Sequence, residues 1–486
     1  MTAIMVVGTT SHAGKSLMTA AICRLLVRQG HRVTPFKGQN MALNAYVTAD
    51  GGEIGHAQAV QAWAAKIEPQ VIMNPILLKP QGDMTSQVIL MGQPAGRVGA
   101  AEYYEKFFDQ GWQAITNSLD QLQQNYDYVV CEGAGSPAEI NLKHRDLTNM
   151  RVAKYLQAKT LLVADIDRGG VFAHIVGTLE LLDPDERALI KGFVINKFRG
   201  QRSLLESGLD WLTERTGIPV LGVIPYFQSQ LPAEDSLDLF DRRINKPAAE
   251  LQIAVIRLPR MANFTDFDPL IAEDSVQVSY LDQPTQKKFD AIILPGSKTT
   301  ITDCLWLHST GLADWIKTQA KIGTTVVGIC GGLQMLGEKI TDPDRLEGEV
   351  PEVAGLGLMP VETVMLDHKV LRQRQVESKY FLLDATVTGY EIHQGQSRWV
   401  ANDAACQSLF GDTDLGWVWQ EQIWATYLHG LFDTSAWRRS WLNKLRSAKG
   451  LPLLPIDIPN YASQRNDALD AVADLVGEHL NLDPLL

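Results

Sequence analysis

Residues 4–16 read Ile4-Met-Val-Val-Gly-Thr-Thr-Ser-His-Ala-Gly-Lys-Ser16, an apolar run that passes directly into a glycine-bounded loop. The run predicts a strand, and the periodic segment over 16–29 predicts the helix that follows. Strand, glycine loop and helix start together form a phosphate cradle: backbone N–H groups at a helix N-terminus point at an anion and the helix dipole favours its charge. Gly8, Thr9 and Gly14 let the backbone approach, Lys15 pairs with phosphate charge, and Ser16 supplies a hydroxyl of the kind that holds Mg²⁺ beside ATP. Five residues separate Gly8 from Gly14, one more than in the common phosphate loop.

Outward from this loop the first half alternates apolar runs (4–7, 33–36, 128–131, 160–164, 192–195, 220–224) with helical stretches (16–29, 54–66, 103–124, 204–216). That rhythm predicts a P-loop, doubly wound, mostly parallel sheet. A charged, pattern-poor segment near 231–250 breaks it, and a second α/β rhythm follows, with runs at 252–257, 291–294, 325–329 and 423–427. The expected organisation is a synthetase-type domain over 1–235, a linker over 236–250, a second α/β domain over 251–440, and a helical appendage over 441–486.

Bulk properties narrow the class. With 486 residues the chain exceeds one comfortable core, and its formal charge of −12 argues against a nucleic-acid binder. The cysteines are odd in number, at 23, 131, 304, 330 and 406, with no C-x-x-C pair, which fits a reducing compartment rather than a disulfide framework. No apolar run reaches membrane-spanning length and the first residues lack a basic leader, so a cytoplasmic location is expected. No motif sets an oligomeric state.

The second half carries its own chemistry. Val326-Val-Gly-Ile-Cys-Gly-Gly332 is an apolar strand ending in a tight glycine turn with Cys330 at the apex, the cysteine form of a nucleophile elbow. A helix after the turn would favour the thiolate. His429, just beyond another apolar strand, is the expected proton carrier. Gly331 and the loop at Ser297 are candidate oxyanion donors. The order of loop, elbow and histidine over about 252–434 resembles class I glutamine amidotransferase domains, implying L-glutamine as nitrogen donor. Such domains usually place a glutamate two residues after the histidine. Here that position is Leu431, so the group orienting His429 is open. Glu391 and His393 read equally as pocket lining or as a hydrogen-bonded strand pair.

The phosphate loop's longer spacing resembles the dethiobiotin synthetase-like branch, whose members activate carboxylates with ATP. That resemblance implies a second phosphate-facing cation at Lys37, an adenine-reading amide at Asn196, and Mg²⁺ held by Ser16 with Glu132, Glu53 or, less favourably, Asp50. Finally, Pro35-Phe-Lys-Gly-Gln-Asn-Met41, Gly52-Glu-Ile-Gly-His-Ala-Gln-Ala59, Asp165-Ile-Asp-Arg-Gly-Gly170, Leu294-Pro-Gly-Ser-Lys-Thr-Thr300 and His429-Gly-Leu-Phe432 resemble the cobyric acid synthase family. The resemblance implies a corrinoid small-molecule substrate, amidated on its b, d, e and g side-chain carboxylates at the expense of ATP and glutamine. Lys79, Arg145, Arg168 and Arg199 are candidate cations for such a polycarboxylate. Alternatives are the sister amidase of the a and c carboxylates, an amidase of a lipid-linked glutamate, and a partitioning-type ATPase with an inactive second domain.

Overall fold

The apolar runs of the first half become one six-stranded sheet, ordered Val220–Pro225, Ile190–Phe198, Lys159–Asp165, Thr2–Gly8, Tyr128–Glu132, Val33–Phe36. Every pairing in it is parallel, as crossover helices require. The chain passes from Tyr128–Glu132 on one side of the central Thr2–Gly8 to Lys159–Asp165 on the other. The reversal opens a crevice at the carboxyl ends of these strands, where open α/β sheets bind ligands. The structure is a computed structural model and describes residues 1–82, 84–227, 231, 246–401 and 406–486. The boundary at 235 and the linker up to 245 lie outside the described residues.

One face of this sheet is covered by helix Ala100–Asn125, through Ile115, Leu119 and Leu122. The other is covered by Lys15–Arg28 and, from far along the chain, by Tyr461–His479, whose Leu469, Val472 and Val476 join the core of Ile4 and Val6. Arg28 pairs with Asp470 at 2.7 Å across that contact. Residues 441–486 are therefore not a single appendage. Helix Ser435–Ala448 buries Trp437, Trp441 and Leu445 in the second core, while the next helix completes the first. Amphipathicity announces an apolar stripe but not the core that receives it.

The second sheet runs Val276–Leu281, Leu251–Ile256, Ala291–Leu294, Thr325–Ile329, Ile423–Thr426, Gly416–Trp419, Cys406–Ser408. Its first pairings are parallel and the last two antiparallel. A long antiparallel hairpin, Val361–Glu377 with Thr386–Trp399, falls outside the expected strands. Val361, Thr363 and Met365 alternate inward, but the polar run Arg372-Gln-Arg-Gln375 masks the period. The hairpin meets a small ribbon of the first half, Ala45–Val47 paired with Glu53–Gly55. Ala45, Val47, Leu77, Ile89, Tyr390 and Ile392 form one apolar cluster there, so the two halves share a joint with its own small core. Among the described residues, no helix is long and apolar enough to cross a membrane.

Candidate active site

Strand Thr325–Ile329 delivers Cys330 with φ 53° and ψ −108°, a positive-φ conformation that a non-glycine residue adopts only under constraint. The next residue sets the tightness of the turn: a Cβ on Gly331 would stand 2.8 Å from the backbone nitrogen of Ser297. The backbone of Ser297, the other candidate oxyanion donor, therefore packs directly against Gly331. The Ser297 hydroxyl faces away and donates to Asp303 at 2.6 Å, leaving the backbone as the Ser297 contribution. The remaining cysteines 23, 131, 304 and 406 are also free thiols. Burial pushes Cys23 and Cys131 well above the usual thiol range.

His429 reaches Cys330 because Leu428–His429 leaves the parallel sheet and pairs with the hairpin, His429 opposite Tyr390. The Tyr390 ring stacks on the imidazole at 5.5 Å between centroids. The orienting group that no motif disclosed is Asp266. Its Oδ2 accepts from His429 Nδ1 at 2.6 Å and its Oδ1 accepts from the Gly430 backbone N–H at 2.8 Å. With Nδ1 so engaged, the other ring nitrogen is left for Cys330, which lines the same pocket and whose thiol donates to the Ile392 carbonyl at 3.6 Å. Burial alone would push the imidazolium down. The charge and hydrogen bond of Asp266, reinforced by Cys330, outweigh it and hold His429 at about 10. A protonated imidazole so held is a proton donor beside the nucleophilic sulfur. Asp266 lies in Asn263-Phe-Thr-Asp266, far from His429 in sequence and in no recognisable spacing with it.

A pocket opens onto Cys330, lined among others by Lys79, Lys298, Gln334, Lys369, His393 and His429. Here the structure departs from expectation. Glu53, expected as a further Mg²⁺ carboxylate, is fully buried behind two of these lining lysines: Oε1 accepts from Lys79 at 2.8 Å and Oε2 from Lys369 of the hairpin. Burial pushes Glu53 up, but the two lysines overcome it and hold it at about 2. The same contact removes Lys79 from the set of exposed cations. Sequence proximity to the phosphate loop is misleading here, because the ribbon carries Glu53 away to the joint between the halves. Glu391 and His393 do form a pair, at 3.2 Å, while Arg372 donates to Glu391 at 2.5 Å and His393 lines the pocket.

The phosphate loop lies in the crevice of the parallel sheet. Lys15 Nζ donates to the carbonyls of Thr10 and Gly135, each at 3.0 Å, and the buried Thr9 hydroxyl has no partner among the described residues. Gly14 has φ 101°, and a Cβ there would sit 2.1 Å from Asn196 Nδ2. That amide donates to Ala13 O at 2.8 Å, so Asn196 braces the loop. Glu132, buried at its strand end, gathers the expected partners: Ser16 Oγ donates to Oε1 at 2.8 Å and Lys37 Nζ to the same oxygen at 2.9 Å. Gln61, not expected, donates to Oε2. Of the remaining cations, Arg199 pairs with Asp167 at 2.9 Å and Arg168 approaches Asp165 at 4.0 Å, both beside the crevice. Arg145 lies over the Tyr104 ring, 4.8 Å from its centroid.

Comparison with known proteins places both sites in one lineage. Residues 4–237 match the family described as the CobQ/CobB/MinD/ParA nucleotide binding domain, and residues 252–437 match the CobB/CobQ-like glutamine amidotransferase domain. The cobyric acid synthase of Acaryochloris marina is 64% identical over 100% of this chain and 99% of its own. Those of a Nostoc species and of Synechococcus elongatus are each 62% identical over 100% of this chain and 99% of theirs. The chain belongs to the cobyric acid synthase family. It is an enzyme, a glutamine amidotransferase of cobalamin biosynthesis, with a nucleotide-binding half for ATP. The family and the two-part α/β fold anticipated from the motifs are both borne out. The motifs alone did not disclose three features that build the cobyric acid synthase sites in this chain: Asp266 on His429, Gln61 on Glu132, and Lys369 on Glu53.

Proposed function

We propose that this enzyme converts adenosylcobyrinic acid a,c-diamide to adenosylcobyric acid by amidating its b, d, e and g carboxylates, and that its two sites divide the work. A carboxylate and ammonia form only a salt at neutral pH, so the carboxylate is first activated. Its oxygen takes the γ-phosphoryl group of ATP, giving an acyl phosphate and ADP. Ammonia then attacks the acyl carbon, inorganic phosphate leaves, and the amide remains after loss of a proton. Phosphoryl transfer is catalysed mainly by positioning and charge neutralisation. Gly8, Thr9, Gly14 and Lys15 supply the cradle, Lys37 a second cation, and Asn196 the brace on Ala13.

The ammonia comes from the other pocket. The Cys330 thiolate attacks the side-chain amide carbon of glutamine, and the backbone N–H groups of Gly331 and Ser297 receive the developing oxyanion. His429 gives its proton to the departing nitrogen, leaving a thioester. Water, deprotonated by the same imidazole, then releases glutamate. Asp266 keeps His429 in the tautomer that both steps require.

Mg²⁺ fits the phosphate site by the chemistry of its donors: a hydroxyl and a buried carboxylate, Ser16 and Glu132, already meet at 2.8 Å, with other positions open to water and phosphate. When bound, the ion would neutralise phosphate charge; Glu53 is not among its ligands.

The observation that carries this reading is the coexistence, in a chain alike end to end to cobyric acid synthases, of a Cys330–His429–Asp266 constellation and a Lys15–Ser16–Glu132 phosphate site. Incubating the a,c-diamide corrinoid with ATP and glutamine, followed by mass spectrometry, tests it. The expected product has exchanged hydroxyl for amine at four positions. An unmodified corrinoid, with the enzyme still hydrolysing glutamine, refutes the substrate assignment.

A further inference from the structure

The turn that carries Asp266 is not held by the amidotransferase half alone. Asn263 opens it in the left-handed region, φ 53°, where asparagine is among the few side chains tolerated. From there the turn is tied to the ribbon of the nucleotide-binding half. The Phe264 backbone N–H donates to Asn44 Oδ1 at 2.9 Å. Asn263 Nδ2 donates to the Ala45 carbonyl at 3.1 Å and to the Tyr390 hydroxyl at 3.0 Å. Tyr390 OH closes the circuit by donating to the same Ala45 carbonyl at 3.1 Å. The orientation of the Asn44 amide is fixed by this contact, since flipping it would set its NH₂ against the Phe264 N–H. Asn44, Asn263 and Phe264 are at most 2% exposed, so water offers no substitute partner.

Two arms therefore reach His429 from the other half of the molecule. One runs from Asn44 through the Phe264 backbone to Asp266 and the imidazole Nδ1. The other runs from Ala45 through the Tyr390 hydroxyl to the ring stacked on the imidazole. Neither Asn44 nor Ala45 lies near enough in sequence, or within the amidotransferase fold, to be part of that domain's own design.

We infer that Asn44 and the Ala45 carbonyl are positioning groups of the glutaminase, so that the nucleotide-binding half completes the hydrolytic site by holding Asp266 and Tyr390 against His429. This rests on the assignment of glutamine hydrolysis to Cys330 and His429. The amidotransferase half is then not a self-sufficient glutaminase: its histidine is aimed by the ribbon docked on it. Small displacements of a proton carrier cost rate steeply, about 100-fold for roughly 1 Å.

The test uses the full chain with two variants, Asn44→Leu, which keeps the branched outline but removes the acceptor, and Tyr390→Phe, which keeps the stacked ring but removes the donor. Glutamine hydrolysis is measured from pH 6 to 10, with ammonia-driven amidation as the control for an intact fold. Each variant is expected to lower glutaminase kcat roughly 10- to 100-fold with little change in KM. Each is also expected to move the alkaline limb of kcat/KM to lower pH, because a loosened Asp266 holds the imidazolium less firmly. Ammonia-driven synthesis is expected to stay within about twofold. A merely structural role would lower amplitude without moving the limb. If Asn44→Leu also loses ammonia-driven synthesis, Tyr390→Phe decides. A folded variant of either kind with wild-type kcat and an unmoved limb overturns the proposal. Cys330→Ala, assayed in parallel, keeps the two questions apart: glutamine hydrolysis surviving that substitution would refute the site itself rather than the role of Asn44.

Discussion

Asp266 and His429 are 163 residues apart in the chain and 2.6 Å apart in the fold, and the carboxylate binds both the imidazole and the N–H of the next residue. A family of sites that usually draws its third member from two positions after the histidine draws it here from the turn beyond the first strand of the domain. Leu431, at the customary position, is fully buried in the second core instead.

Asp266→Asn should lower glutaminase kcat by on the order of 10²- to 10⁴-fold, because an amide can donate to Nδ1 and stabilise the wrong tautomer. The pH dependence should change with it. His429 is raised from 6.5 to about 10, so the imidazolium, and the stability it contributes, is fully present below pH 6.5 and lost as pH rises through about 10. Without the carboxylate the alkaline limb of kcat/KM should fall towards or below the ordinary histidine value. Steady-state glutamate release across pH 6–10 measures both effects.

Cys330→Ala should abolish glutamine-dependent amidation, a loss of roughly 10³-fold or more, yet leave synthesis from high ammonium close to wild type. Lys15→Ala should abolish synthesis from either nitrogen source. Product formation with glutamine and with ammonium chloride, side by side, separates the two. Unimpaired ammonia-driven turnover in Lys15→Ala would remove the phosphate-loop assignment.

Glu53→Gln should destabilise the protein by about 3–5 kcal/mol, because it leaves Lys79 and Lys369 buried with their shared charge partner gone. Glu53 is lowered from 4.5 to about 2, so its contribution is present above pH 4.5 and is lost as pH falls through about 2. Urea unfolding at neutral pH reads the loss. The Mg²⁺ concentration for half-maximal synthesis should not move, whereas Glu132→Gln should raise it. A higher Mg²⁺ requirement in Glu53→Gln would return Glu53 to the metal site.

Leu469→Ala should cost about 2–5 kcal/mol through the cavity it leaves, since Leu469 is 1% exposed against the core of the first sheet. Limited proteolysis should then cut first in the nucleotide-binding half. Preferential cutting in the amidotransferase half would contradict the packing.

The parts legible in the sequence are those whose signal is local. Ala291–Leu294 and residues 326–329 are short apolar runs buried throughout, and each forms the strand its composition predicts. Lys15, Ser16 and Cys330 sit at strand-to-helix turns whose glycines betray them. The hairpin around Tyr390 escaped because its outward residues are a polar run with no bounding turn signal. Glu53 was misplaced because loop proximity in the chain is a poor guide to which half a ribbon docks on. Asp266 had no pattern at all, for a triad is a matter of distance in space, and a single aspartate among 56 acidic residues carries no mark of its partner.

Residues 461–485 close the apolar face of a sheet whose first strand begins at Thr2, with Leu480 bridging Gly222 and Leu485 fully buried. Chains are made from the amino end, and domains generally fold as they emerge. Here the nucleotide-binding core keeps part of one face uncovered until the chain's last long helix, beyond the amidotransferase half, has been synthesised. A gene cut at the junction between the halves would leave the first product with an open, sticky face and the second with a helix that has nowhere to go.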